Sequence, residues 1–197
     1  MDAQTVARIA NIFNNNRQFT DAIDVTECYR LSDTTSVDVN RQNAKAYCML
    51  KDYKKAIERY ESLKRMGDRS FLTFYYLGIS YYGDNWFYGS YDNLKEAYAK
   101  NSTDINVLYY YAKSCSRTSW KKEGVEFMEK AVEIATPGDS ILERLYKGLA
   151  ECYGYAGESY KKIEVMNRLY KLNKDYKLFY SCLLYTSPSP RDMRRSR

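Results

Sequence analysis

The residue types that carry most protein chemistry are either missing from this chain or spaced too far apart to cooperate. Among its 197 residues there is no histidine. That removes the commonest general base, the commonest zinc ligand and the side chain that titrates near neutral pH. The five cysteines, Cys28, Cys48, Cys115, Cys152 and Cys182, form no C-x-x-C pair, so neither a metal site nor a dithiol centre is spelled out. Free cysteine is usually a small buried hydrophobe, and all five are expected in the interior. Glu123, Glu126 and Glu129 recur at every third position, which lays them along one helix face as solvated charge. No Gly-rich phosphate loop, no H-E-x-x-H and no Ser/His/Asp set is present. The chain is not expected to be an enzyme, and no cofactor is implied.

What remains is recognition chemistry, and its positioning depends on helices. Hydrophobic residues make up 45% of the chain, and only three prolines and nine glycines interrupt it, which favours long helices. Tyrosine occurs 22 times; its apolar ring and polar tip suit helix interfaces that end at solvent. No run of about 18 apolar residues could span a membrane.

A fixed period organises the chain. Ala10, Ala44, Gly78 and Ala112 stand 34 apart, as do Leu63, Ala97 and Ala131. Phe13, Tyr47 and Tyr81 keep the same step, and Ala22 aligns with Ala56. An insertion of four residues at 139–142 shifts the phase once, after which Leu149, Ala150 and Tyr153 resume it. The units are 3–36, 37–70, 71–104, 105–138 and 143–176, and a sixth begins at 177–181. Within a unit the apolar spacing is helical, as in Leu77, Gly78 and Tyr81 or Ile57, Tyr60 and Leu63. Asn14, Asn15 and Asn16 separate two helices, Gly67 ends the second unit, and Pro137 stops a helix. Ser140 with Glu143 reads as a capping box for a helix about one turn longer than its counterparts. Gly124 marks close packing between helices. No such unit buries its faces alone; stacking does it.

This pattern resembles the tetratricopeptide repeat of the bacterial type, whose 34-residue unit has small residues near positions 8 and 20 and a small or apolar one near 27. The resemblance covers 3–176. It departs from the family at position 4, where tryptophan is replaced by Val6, Asn40, Phe74, Leu108 or Tyr146, and at position 20, which is Ser90, Gly124 and Lys162 in the last three units. The resemblance implies an all-α, right-handed superhelix of about five antiparallel helix pairs plus a truncated sixth. It implies a non-catalytic scaffold for protein interaction or assembly, with a concave groove lined by the first helix of each unit at positions 2, 5, 9 and 12. Carried over, those positions offer Asn11 and Asn14; Arg41 and Lys45; Tyr75, Ile79 and Tyr82; Tyr109 and Lys113 with Arg117 beside them; and Arg144 and Lys147. Tyrosines there would anchor a peptide, while Arg and Lys would hold acidic groups. The Lys/Asn clamp that some members use for a C-terminal carboxylate is not reproduced, since Ala7 and Asn11 stand in the first unit and Leu72 and Tyr75 in the third. The partner is therefore expected to be a protein or peptide, with no metal. The alternative is single-stranded nucleic acid on the alternating basic and aromatic residues.

Charge argues against that alternative. The net charge is +6, but 182–197 hold four arginines against Asp192, leaving a body of only +3. Residues 182–192 also resemble a translated sequencing-library adapter. The tail 182–197 is accordingly read as artefactual, 1–181 as one repeat array, and the natural protein is expected to continue past Ser181. The N-terminus shows no signal peptide, which with the unpaired cysteines suits the cytoplasm, and the periplasm if further residues precede it.

Overall fold

The computed structural model describes residues 1–136, 138 and 140–172. Among these lie ten helices. They are α1 (Ala3–Asn15), α2 (Phe19–Arg30), α3 (Val37–Met49), α4 (Tyr53–Arg65), α5 (Phe71–Gly83), α6 (Phe87–Lys100), α7 (Ile105–Ser116), α8 (Lys121–Ile134), α9 (Ile141–Ala156) and α10 (Ser159–Leu172). Each odd-numbered helix packs on the even one that follows, and each even one packs on the next odd one. The odd helices also touch one another in succession, from α1 to α9, whereas among the described residues no even helix touches the next even one. The stack is therefore tighter on its odd side and curves around it. This is an all-α superhelix of helical hairpins with the odd helices lining its inner face.

The period is written into the helix ends. The first four odd helices start at Ala3, Val37, Phe71 and Ile105, 34 residues apart, and the first four even ones at Phe19, Tyr53, Phe87 and Lys121 keep the same step. Asp2, Ser36, Ser70 and Asp104 precede the odd helices, and each side chain accepts a hydrogen bond from a first-turn backbone N–H, satisfying a donor the helix cannot. The hairpin turns repeat too. Arg17, Lys51 and Asn85 hold left-handed φ of 63°, 65° and 63°, and the next residue's N–H reaches back to the carbonyl of Phe13, Tyr47 or Tyr81. That six-to-one bond closes the helix. Gly157, with φ 80°, does the same after α9 through Glu158 and Tyr153.

The small residues of the repeat sit where backbones meet. Ala10, Ala44, Ala112, Ala22, Ala56 and Ser90 are all fully buried. Gly124 is close packing, as expected: a Cβ there would fall 2.4 Å from Ser116 Oγ and 2.8 Å from the Ala112 carbonyl oxygen. In the last hairpin the arrangement reverses. Lys162 holds the place of those small residues, and Gly154 opposite makes room for its stem. The inserted residues lengthen α9 to 16 residues against 12 to 13 in the other odd helices.

Two expectations change. Ser140 takes the N-cap place of α9, but its side chain makes no capping hydrogen bond; Glu143 instead pairs with Lys147 at 2.9 Å. Cys28 is exposed while Cys48, Cys115 and Cys152 are buried, because residue 28 faces outward on α2. Pro137, Cys182, the sixth unit at 177–181 and the tail at 182–197 lie outside the described residues.

Candidate partner-binding face

Of the residues the sequence singles out, those on α5, α7 and α9 come together and those on α1 and α3 stand apart. Asn11 is exposed on α1, and the buried Asn14 donates to the carbonyl and side-chain oxygens of Gln42. Asn14 thus ties α1 to α3. Arg41 is held between Asp38, at 2.8 Å, and Asp68, at 2.9 Å. Asp68 is itself buried at its side chain and accepts from Thr73 Oγ1 and the Ser70 N–H. Burial alone would raise the Asp68 carboxyl, but these bonds and Arg41 hold it below its ordinary value. Lys45 is partly buried and, among the described residues, makes no ion pair.

On α5, α7 and α9 the side chains form one continuous lattice. Tyr75 stacks on Phe71 at 5.8 Å between ring centroids and packs against two core clusters, and burial pushes its hydroxyl pKa well up. Tyr82 meets Tyr110 at 5.9 Å, and Tyr110 meets Tyr109 at 5.2 Å. The Lys113 ammonium lies 5.6 Å from the ring centres of both Tyr82 and Tyr109 and 2.8 Å from Glu151 Oε2. Burial works to lower the Lys113 pKa, yet the Glu151 hydrogen bond and the two tyrosines hold it above the ordinary lysine value. Arg144 lies over Tyr109 at 4.6 Å and donates to Asn106 Oδ1 at 2.5 Å. Arg117 is exposed and lies between Phe87, at 4.4 Å, and Tyr155, at 5.5 Å, donating to the Tyr155 hydroxyl at 3.0 Å. Cations over aromatic rings are held in place without losing their charge.

Half of the six expected basic residues are therefore already committed to ion pairs. Arg41, Lys113 and Lys147 each face a carboxylate of this chain. Glu151 was not among the expected residues, although it stands at the same unit position as Lys45 and Lys113 once the four-residue shift is counted. Asn106, Tyr110, Phe87 and Tyr155 were missed as well. Asn106 holds the unit position of Arg144, while the other three fall outside the positions the repeat assigns to the groove. Among the described residues no group of three or more His, Cys, Asp or Glu side chains could hold a metal ion, and no helix is long and apolar enough to cross a membrane.

Solved structures share this architecture. YrrB, described as a TPR protein with an unusual peptide-binding site, superposes with a TM-score of 0.77 at 16% identity, covering 92% of this chain and 91% of its own. The fold is a tetratricopeptide-repeat solenoid. MamA of Desulfovibrio magneticus gives a TM-score of 0.74 at 15% identity over 89% of this chain and 97% of its own. A second MamA gives 0.75 at 14% identity over 86% and 98%. No protein-family model matches this chain, and no curated protein does. At such identities the likeness speaks for the solenoid and leaves its cargo to the side chains.

Proposed function

We propose that this solenoid is a non-catalytic interaction scaffold that holds a protein or peptide segment along its inner face, centred on α5, α7 and α9. One observation carries the reading. Tyr82, Tyr109, Tyr110 and Lys113 are packed into a fixed lattice yet stay only partly buried. Rigid aromatic surface that is already ordered loses little entropy on binding. The like fold of YrrB, whose description names a peptide-binding site, is consistent with this.

A polyanion is less well served. Three of the six expected groove cations already face carboxylates of the chain, and a protein that binds the phosphate backbone needs several free ones.

The test uses a displayed library of random twelve-residue peptides, panned against the protein. Binders should lose affinity at least tenfold against the double variant Tyr82→Ser/Tyr109→Ser, whose helical circular dichroism should match the parent. Tyr75 is left intact because it packs into the core. An empty selection, or binders indifferent to the double variant, overturns the reading.

A further inference from the structure

Three cations on the inner face, Lys45, Arg117 and Arg144, make no ion pair among the described residues, and two of them belong to the tyrosine lattice. Both arginines are oriented by this chain. Arg144 is fixed at one end of the α7–α9 crevice by Asn106 and the Tyr109 ring. Arg117 is fixed at the other end by the Tyr155 hydroxyl and the rings of Phe87 and Tyr155. Neither partner carries a formal charge, so each guanidinium keeps its own uncompensated. Between them Lys113 and Glu151 neutralise each other.

The spacing is set by helix geometry. Asn106 to Arg117 on α7, and Arg144 to Tyr155 on α9, are each eleven positions, or about 16 Å of helix rise. An extended chain covers that distance in about five residues.

We infer that the α7–α9 crevice binds an extended acidic peptide segment, with Arg117 and Arg144 each taking one carboxylate and the two carboxylates about five residues apart. This rests on the scaffold reading above and specifies its ligand. Charge complementarity selects the ends. The neutral Lys113–Glu151 pair and the faces of Tyr82 and Tyr109 receive the residues between. A guanidinium fork is suited to a carboxylate because it can donate two parallel hydrogen bonds to it.

The peptides selected from the random library provide the probe. Those lost on the Tyr82→Ser/Tyr109→Ser variant should carry two Asp or Glu about five positions apart. The strongest is resynthesised with each acid changed in turn to its amide, and its affinity is measured by fluorescence anisotropy for the parent, Arg117→Gln and Arg144→Gln. Each arginine variant should weaken the parent peptide roughly tenfold. Each should be insensitive to the loss of one particular acid and fully sensitive to loss of the other. Groove-bound peptides without paired acids, or acids that couple to neither arginine, overturn this inference and leave the scaffold reading standing. An empty selection, or peptides indifferent to the tyrosine variant, removes both.

Discussion

Lys113 and Glu151 meet at 2.8 Å across the crevice between α7 and α9. The same 38-residue offset brings Asn106 to Arg144 and Arg117 to Tyr155. It equals one repeat plus the four inserted residues, so the insertion is absorbed without breaking the register of the inner face. The Lys113 side chain is the more buried of the pair, at 17% exposure against 51% for Glu151. Replacing Glu151 by Gln leaves a largely buried ammonium among rings, and should lower stability by about 1 kcal/mol in a denaturant titration. The raised Lys113 pKa gives the sign of the pH effect. The pair's contribution is complete below the ordinary lysine value of 10.5 and is lost as pH rises through the raised one. Parent and Glu151→Gln should therefore converge in stability in strong alkali and differ at neutral pH.

The two glycines of the reversed contact should respond oppositely to one substitution. Gly124→Ala drives a methyl into Ser116 and the Ala112 carbonyl oxygen, and overpacking of that kind costs about 1–3 kcal/mol. At Gly154 the nearest atoms to a new Cβ belong to the Lys162 side chain, at 3.7 Å, an ordinary contact. Gly154→Ala should then gain up to about 1 kcal/mol of helix propensity. Thermal melts of the two variants should move to opposite sides of the parent.

Those two sites show what was legible in the sequence. Pairing of helices was legible, because Ala10, Ala44, Gly78 and Ala112 repeat at 34 and can be recognised by size alone. The caps Asp2, Ser36, Ser70 and Asp104 keep the same step, so they were within reach of the same reasoning. The state of the groove was not legible. Whether Arg41 is free depends on Asp68, 27 residues away on a turn, and whether Lys113 is free depends on Glu151 in the next unit. Periodicity places side chains on a face but does not say which charges cancel across it. The left-handed residues Arg17 and Lys51 were also hidden, since neither is the glycine or asparagine that such a position favours.

That mismatch gives a third prediction. A left-handed conformation costs a residue with a Cβ about 1–2 kcal/mol, while glycine loses about 0.5–1 kcal/mol more entropy on folding. The first effect is the larger. Lys51→Gly should stabilise the protein by about 0.5–1 kcal/mol in urea, and Lys51→Val should destabilise it.

Asp68 links α3 to the start of α5 and should set part of the acid sensitivity. Its carboxyl is held below the ordinary value of 3.8 by Thr73, Ser70 and Arg41 despite burial. Its contribution is therefore complete above that ordinary value and falls away as pH drops through the depressed one. Asp68→Asn should weaken the fold at pH 7, and the deficit should shrink as pH falls toward 2. A deficit independent of pH would assign the loss to packing alone.

Tyr60 is fully buried beside Tyr76, and its hydroxyl finds no hydrogen-bond partner among the described residues. Burial drives its pKa far up, so the group stays neutral at all ordinary pH. A buried hydroxyl without a partner costs about 1–3 kcal/mol in desolvation, while an apolar replacement of the same shape costs nothing comparable. Phenylalanine keeps the ring in the core cluster that also holds Leu63 and Leu77. Tyr60→Phe should therefore stabilise the solenoid by about 1 kcal/mol, raising the melting temperature by about 2–4 °C for a chain of this size. A lowered melting temperature would mean that the hydroxyl is bonded to an internal water, and that water would then be a structural part of the α4–α5 interface.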